Sequence, residues 1–335
     1  MEEYARIARR TDLPEGEAYL SLLGELSSIL TNENPEYRPR DEKNRPGGLI
    51  RLRRLPTLII PDLHGRREFL LRVLGFIPPD SPGGATVYEQ LNAGDIQVVC
   101  VGDGFHAEAR AADRWQKAFR EFTGKYARHT AMDEEMTESL GLMEMVMRLK
   151  LAFPGFFHFL KGNHENISNE EGRGNHPFRK FSFEGEMVKD WVLKFYGRDF
   201  LETYAEFEHE LPLLAADGNF MVSHAEPERF FTREEIIRYR EYDDVVLGLT
   251  WTPDDGAGEG SVVQMIRAYC SEPEHAVYFG GHRPVRGLYN LRAENRYIQL
   301  HNPDAMIISL VDPEKIFDPE RDILKLEEHH GEYPR

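Results

Sequence analysis

The chain has 335 residues, 41 % of them hydrophobic and 11 % aromatic, enough to bury a large core, so wholesale disorder is excluded. Lys and Arg number 41 against 58 Asp and Glu, a formal charge of −17, which argues against a protein that grips long nucleic acid through its phosphates. Two cysteines far apart, Cys100 and Cys270, make no disulfide scaffold; with no signal-peptide pattern and no apolar run near the ~20 residues of a membrane helix, a cytoplasmic protein without membrane partners is expected.

Leu20, Leu22, Leu23, Leu26 and Leu30 predict a short amphipathic helix, and a polar, Pro-rich link follows over 33–48. Residues 1–48 thus read as an N-terminal helical and linker extension. Strand-like apolar runs come next at 57–60, 97–101, 156–160, 219–223, 275–280, 297–301 and 305–311. Leu70, Val73 and Leu74 space one helix between them. Met136, Leu140, Met143 and Met147 space another, with Thr130-x-x-Asp133 read as its capping box. Met187, Val188, Trp191, Val192 and Phe195 space a third, stopped by Gly197. Strands alternating with helices predict an α/β fold whose sheets are covered by helices. Segment 107–132 is charged and aromatic at once and reads as an inserted helix or lid, with Trp115, Phe119, Phe122 and Tyr126 at helical spacing. Residues 313–335 read as a charged surface tail. The Gly-rich stretches 172–176 and 256–260 lack the Lys-Ser/Thr of a phosphate loop and read as ordinary loops.

Five of the seven runs end in similar chemistry. They lead into Asp62-Leu63-His64-Gly65, Gly102-Asp103-Gly104-Phe105-His106, Gly162-Asn163-His164-Glu165, Ser223-His224-Ala225 and Gly280-Gly281-His282. Ligands of α/β sheets bind beyond the carboxyl ends of strands, so these groups are expected on one rim. Carboxylate, amide oxygen and imidazole together suit Mn²⁺, Fe or Zn²⁺. Each pair alone is an ordinary turn or surface histidine. All five in this order, each after a predicted strand, point to a metal site.

The order DLHG, GDG, GNHE, SHAE, GGH resembles the calcineurin-like metallophosphoesterase superfamily, and within it the phosphoprotein phosphatase (PPP) branch of serine/threonine phosphatases and diadenosine tetraphosphate hydrolases. The likeness extends to FPGFFHFLKGNHENIS (153–168), to 183–215, to LTWTPDD (249–255) and to HNPDAMIISLVD (301–312). The resemblance implies a catalytic domain over 49–312, interrupted by the 107–132 insertion. It implies an αββα fold of two sheets with a dinuclear metal site at their edge. Asp62 and His64 would hold metal one, Asp103 would bridge, and Asn163, His224 and His282 would hold metal two. His164 would be the general acid. The two divalent ions are expected to be Mn²⁺, with Fe or Zn²⁺ as alternatives. The implied reaction is hydrolysis of a phosphomonoester, from a phosphoprotein or a small phosphoester, by attack of a metal-bridging hydroxide.

The second motif departs from the PPP pattern Gly-Asp-x-Val-Asp-Arg-Gly. His106 stands in place of the Asp that orients the catalytic histidine, and Ala107 in place of the phosphate-binding Arg. His106 is therefore expected to take over the orienting role. Arg110, Arg114, Arg283 and Arg286 are candidates for the missing phosphate ligand, Arg110 and Arg283 foremost. Two other readings stand beside the first: hydrolysis of a phosphodiester or dinucleoside polyphosphate, and a metal-binding interaction module without turnover.

Overall fold

The computed structural model describes residues 1–326. Two sheets lie face to face, each covered outside by helices. The first, in spatial order, contains β11 (Ile323–Lys325), β10 (Ile307–Val311), β2 (Thr57–Ile60), β3 (Gln97–Cys100) and β4 (Phe157–Phe159). The second contains β1 (Leu49–Arg51), β5 (Leu214–Ala216), β6 (Phe220–Ser223), β7 (Val277–Gly280), β9 (Tyr297–Gln299) and β8 (Asn290–Arg292). β2, β3 and β4 run parallel, as do β6, β7 and β9, so their carboxyl ends share one rim in each sheet.

The alternation of side chains along a strand builds three apolar layers. Leu58, Ile60, Val98 and Cys100 face the outer helices, whereas Ile59, Val99, Phe220, Val222, Phe279 and Ile298 fill the space between the sheets. Both faces are apolar because both are covered, which is why these runs are continuous and not alternating. Met221, Tyr278 and Tyr297 face the helices of the second sheet. This is the two-sheet αββα sandwich that the family resemblance implies.

All seven predicted runs contain a strand. The helices Gly16–Thr31, Arg67–Gly75, Thr130–Ala152 and Glu184–Phe195 cover the predicted periodic segments. One detail is corrected. Helix Thr130–Ala152 has no capping box, because Thr130 already lies inside the helix and His129 precedes it. Asp133 instead accepts from His129 Nδ1 at 2.7 Å and from Trp191 Nε1 at 2.9 Å, and the free N–H groups of Ala131 and Met132 are taken by Glu121 at 3.0 and 2.9 Å. A carboxylate from the neighbouring segment therefore caps this end, and it favours the positive end of the helix dipole.

The N-terminal helices Glu2–Arg9 and Gly16–Thr31 bury Tyr4, Ile7, Tyr19, Leu22, Leu23, Leu26 and Leu30 in the same layer as the core of the first sheet. From the segment read as a charged tail, Ile323–Lys325 pairs antiparallel with β10 as the sheet edge. Its last part, 327–335, lies outside the described residues. The 107–132 segment forms the helix Ala112–Thr123, packed between Thr130–Ala152 and Glu184–Phe195, with Trp115 fully buried. No helix among the described residues is long and apolar enough to cross a membrane.

Candidate metal centre

The rim loops after β2, β3, β4, β6 and β7 are tied to one another by backbone hydrogen bonds. His64 N–H donates to Asp103 O at 2.7 Å, Gly65 N–H to Gly104 O at 2.8 Å, and Gly281 N–H to His224 O at 2.8 Å. The Glu165 carboxyl group pins the next pair of loops, accepting from the N–H groups of Asp103 (2.9 Å), Gly104 (2.7 Å) and Gly162 (2.6 Å). Close packing demands glycine at two places. A Cβ at Gly281 would overlap the Asp62 carboxylate, and one at Gly162 would overlap that of Asp103. His64, Asp103, His106, Glu108 and His282 all adopt positive φ, between 44° and 76°, a conformation that non-glycine residues hold only under surrounding constraint.

These loops aim their side chains at one point. Asp103 is buried, and its Oδ1 accepts from His164 N–H at 2.9 Å. Its Oδ2 is thereby turned inward, 3.6 Å from His64 Nε2 and 3.5 Å from His224 Nε2. Both imidazoles are fixed from behind. His64 Nδ1–H donates to Phe105 O at 3.0 Å and His224 Nδ1–H to Val101 O at 3.1 Å, so each Nε2 presents a lone pair. Asp62 accepts His282 N–H through both oxygens, at 3.0 and 3.2 Å, and its Oδ2 lies 3.9 Å from His64 Nε2. Asn163 Oδ1 stands 2.9 Å from both His224 Nε2 and His282 Nδ1. Because His224 Nδ1–H is given to Val101 O, its Nε2 lone pair faces the Asn163 amide oxygen, two acceptors whose repulsion a cation between them would remove.

The electrostatics agree. Burial, followed by the charges of Asp62 and Glu165, pushes the Asp103 carboxyl well above its ordinary range. Burial pushes His64 and His224 down to about 4, and His282 well below its ordinary value. Near pH 7 the imidazoles are therefore neutral, the form that binds metal, and the crowded carboxylates lack a compensating cation. Three groups offer donor atoms within 4.8 Å of one another: Asp62, His64 and His301; His64, Asp103 and His164; Asp62, Asp103 and His224. This donor set of carboxylate, imidazole and amide fits divalent cations.

A family model for calcineurin-like phosphoesterases matches residues 55–286, more than half of the chain. The chain belongs to the calcineurin-like phosphoesterases. Curated proteins give no sequence match. Among solved structures, a protein serine/threonine phosphatase from Saccharomyces cerevisiae, with similarity to human phosphatase PP5, is covered over 98 % of its length. It aligns with 100 % of this chain at 13 % identity and a TM-score of 0.57, a likeness of fold. A putative diadenosine tetraphosphatase matches 85 % of this chain and 100 % of its own, at 15 % identity and a TM-score of 0.43. A cold-active protein-tyrosine phosphatase of a psychrophile Shewanella matches 84 % of this chain and 82 % of its own, at 13 % identity and a TM-score of 0.46.

In this phosphoesterase the predicted ligands Asp62, His64, Asp103, Asn163, His224 and His282 converge as described. The predicted acid His164 borders them, its Nε2 3.9 Å from Asp103 Oδ2. His106 lies beside it, with ring centroids 5.1 Å apart. No hydrogen bond joins the two: His106 Nε2 and His164 Nδ1 are buried and, among the described residues, unpartnered. His106 is held by stacking on Trp115 (4.7 Å) and on the more distant Phe181 (6.0 Å), and by Glu108 N–H donating to its Nδ1 at 3.2 Å. Of the phosphate candidates, Arg110 is engaged, donating to His64 O at 2.9 Å and pairing with Glu138 at 2.6 Å. Arg114 is clamped by Glu135 and Glu138. Arg283 follows the predicted ligand His282, and its Nε is buried without a partner among the described residues.

Sequence reasoning missed three side chains at this rim: His301, Glu108 and Lys180. His301 ends the strand-like run 297–301 much as His224 follows 219–223, a signal that was present in the sequence. Glu108 and Lys180 carry no such signal; they meet only in the fold, at 2.7 Å.

Proposed function

We propose that this phosphoesterase binds two divalent cations and hydrolyses phosphomonoesters in the manner of the PPP branch. The observation that carries the reading is Asp103 Oδ2, placed between the free lone pairs of His64 and His224, where one carboxylate serves two sites. Asp62, His64 and Asp103 would hold the first cation; Asp103, Asn163, His224 and His282 would hold the second. Mn²⁺ suits this mixed set, with Fe and Zn²⁺ as alternatives. Such cations would supply Lewis-acid stabilisation of phosphoryl charge and a bound water of lowered pKa.

His164 protonates the departing oxygen. Burial, then His106 and His64, hold its pKa well below the ordinary value. It therefore needs a negative group nearby to carry a proton, and a phosphoester at the site is such a group. Glu165 keeps the Asp103 and Asn163 loops in register. Arg283, the residue after His282, is the cationic candidate for a phosphate oxygen, since its buried Nε has no partner among the described residues.

A second reading, cleavage of a dinucleoside polyphosphate, is favoured by one feature. Phe119, Phe181 and Phe183 line a cleft of about 500 Å³ over the buried Trp115 that stacks on His106, and stacking on the exposed rings of Phe181 and Phe183 suits a nucleobase. The test is turnover of para-nitrophenyl phosphate, bis-para-nitrophenyl phosphate and diadenosine tetraphosphate with Mn²⁺. The monoester should be cleaved fastest and chelation should abolish it. Preference for diadenosine tetraphosphate would move the assignment to the second reading. Two bound Mn²⁺ without turnover of any substrate would leave an interaction module.

A further inference from the structure

His301 lies just beyond the carboxyl end of β9, beside the β7 strand that delivers His282. Its backbone is fixed on both sides: Leu300 N–H donates to Gly280 O at 2.9 Å, and Val285 N–H to His301 O at 2.7 Å. The side chain is wholly buried. Its Nε2 faces the Glu108 carboxylate at 3.2 and 3.4 Å, and its Nδ1 faces Asp62 Oδ2 at 3.6 Å. Nδ1 has no hydrogen-bond partner among the described residues. The His301 and His64 rings are 5.3 Å apart, and Asp62, His64 and His301 bring donor atoms within 4.8 Å of one another.

Glu108 is built to hold this imidazole. It is buried and adopts φ +51°, and Lys180 grips its Oε1 at 2.7 Å. A carboxylate only accepts, so it selects the His301 tautomer protonated at Nε2. Nδ1 is then a lone pair aimed at the Asp62 carboxylate. In a buried pocket two acceptors 3.6 Å apart repel, and a cation between them removes the conflict.

From this geometry we infer that His301 Nδ1 is a further protein ligand of the first cation, with Glu108 and Lys180 as the residues that position it. The inference rests on the two-cation reading. The first site then has two imidazoles, Asp62 and the shared Asp103. Two nitrogens in the set favour Mn²⁺, Fe or Zn²⁺ over Mg²⁺, which prefers oxygen. Lys180 comes from the loop before helix Glu184–Phe195, so that loop is coupled to the cation through Glu108 and His301.

The test is calorimetric titration of the full-length, metal-stripped protein with Mn²⁺, with melting of the stripped protein as a check on folding. The wild type should show two binding steps. His301→Ala should weaken one step by at least tenfold and leave the other near its wild-type value. Added imidazole should restore the weakened step by filling the vacated space. Glu108→Ala should weaken the same step about ten- to hundredfold, and Glu108→Gln, whose amide oxygen still accepts from Nε2–H, should recover most of it. His301→Gln, which keeps an amide donor toward Glu108 without an imidazole, replaces the alanine variant if that does not fold. Two undisturbed steps in either His301 variant overturn this inference and leave the two-cation reading standing. A wild type that takes up no Mn²⁺ overturns both.

Discussion

Asp103→Asn should move stability and metal binding in opposite directions. The substitution is close to isosteric, and Oδ1 can keep its bond from His164 N–H. What changes is the charge. The Asp103 carboxyl is pushed well above its usual range by burial and by Asp62 and Glu165, so without a cation it is a cost to the fold. A carboxyl held above its ordinary range costs the fold stability when it is ionised, so the neutral side chain should raise the stability, and with it the Tm, of the stripped protein. With Mn²⁺ the order should reverse. A ligand at a hundred times its Kd stabilises by about 2.7 kcal/mol per site, so two sites give the wild type about 5 kcal/mol, most of which the variant loses with its shared ligand. Differential scanning calorimetry in chelator and in excess Mn²⁺ measures both quantities. A variant that melts below the wild type in chelator, yet gains as much from Mn²⁺, would refute the view that Asp103 is an uncompensated charge shared by two cations.

His164→Asn should leave Mn²⁺ uptake near normal and lower kcat by ~10²–10⁴ for esters of poorly acidic alcohols, with a smaller loss for para-nitrophenyl phosphate, whose leaving group needs little protonation. An equal loss for every leaving group would count against His164 as the acid. Replacing Phe181 and Phe183 together by alanine should lower kcat/KM for diadenosine tetraphosphate about tenfold, since a lost stack is worth ~1–3 kcal/mol, and leave para-nitrophenyl phosphate unaffected. Parallel changes in both substrates would make this pair scaffold. The buried Glu33 gives an acid-stability prediction. Burial raises its pKa, but Lys150 at 2.6 Å and Arg38 at 2.6 Å outweigh burial and hold it at about 2. The folded value lies below the unfolded one, so its contribution is complete above pH ~4.5 and is lost as the pH falls toward 2; at ~1.4 kcal/mol per unit it amounts to about 3 kcal/mol. Denaturant unfolding followed between pH 7 and 2 should show this loss, and it should vanish in Glu33→Gln.

The fold was legible because its central strands are apolar on both faces. The runs holding β2, β3, β4, β6, β7, β9 and β10 could be read without a structure, since a strand sandwiched between two layers needs no polar side. What escaped notice were the three-residue strands β1, β5, β8 and β11. Arg51, Arg292 and Lys325 end three of them, so they lack the longer strand-like run, 156–160 or 297–301, in which the equally short β4 and β9 lie. The capping box was misread for a related reason. Thr130 and Asp133 have the right spacing, but the cap of that helix is Glu121, from the segment before it, and spacing within a helix cannot reveal a carboxylate supplied from outside.

The metal centre divides along the same line. Asp62, His64, Asp103, Asn163, His164, His224 and His282 were visible because each sits within a few residues of a strand end, and five of them, all but Asp62 and His164, adjoin a glycine or another small residue, a local signature. The pairing of His301 with Glu108 joins residues 193 positions apart. His106 shows how far a local reading goes. Its place in the motif predicts a contact with His164, and the rings do lie side by side. Yet the position has changed from a charge to an aromatic surface: Trp115, from the inserted helix, stacks on His106, and Phe178 lies against His164 at 4.8 Å. An Asp there would hold a proton on His164 by its charge; an aromatic wall withdraws that support and leaves the substrate's own negative charge to supply it. The inserted helix and the altered motif therefore meet in one stack. The helix that brings Trp115 against the site is what makes a neutral, stackable residue fit at 106.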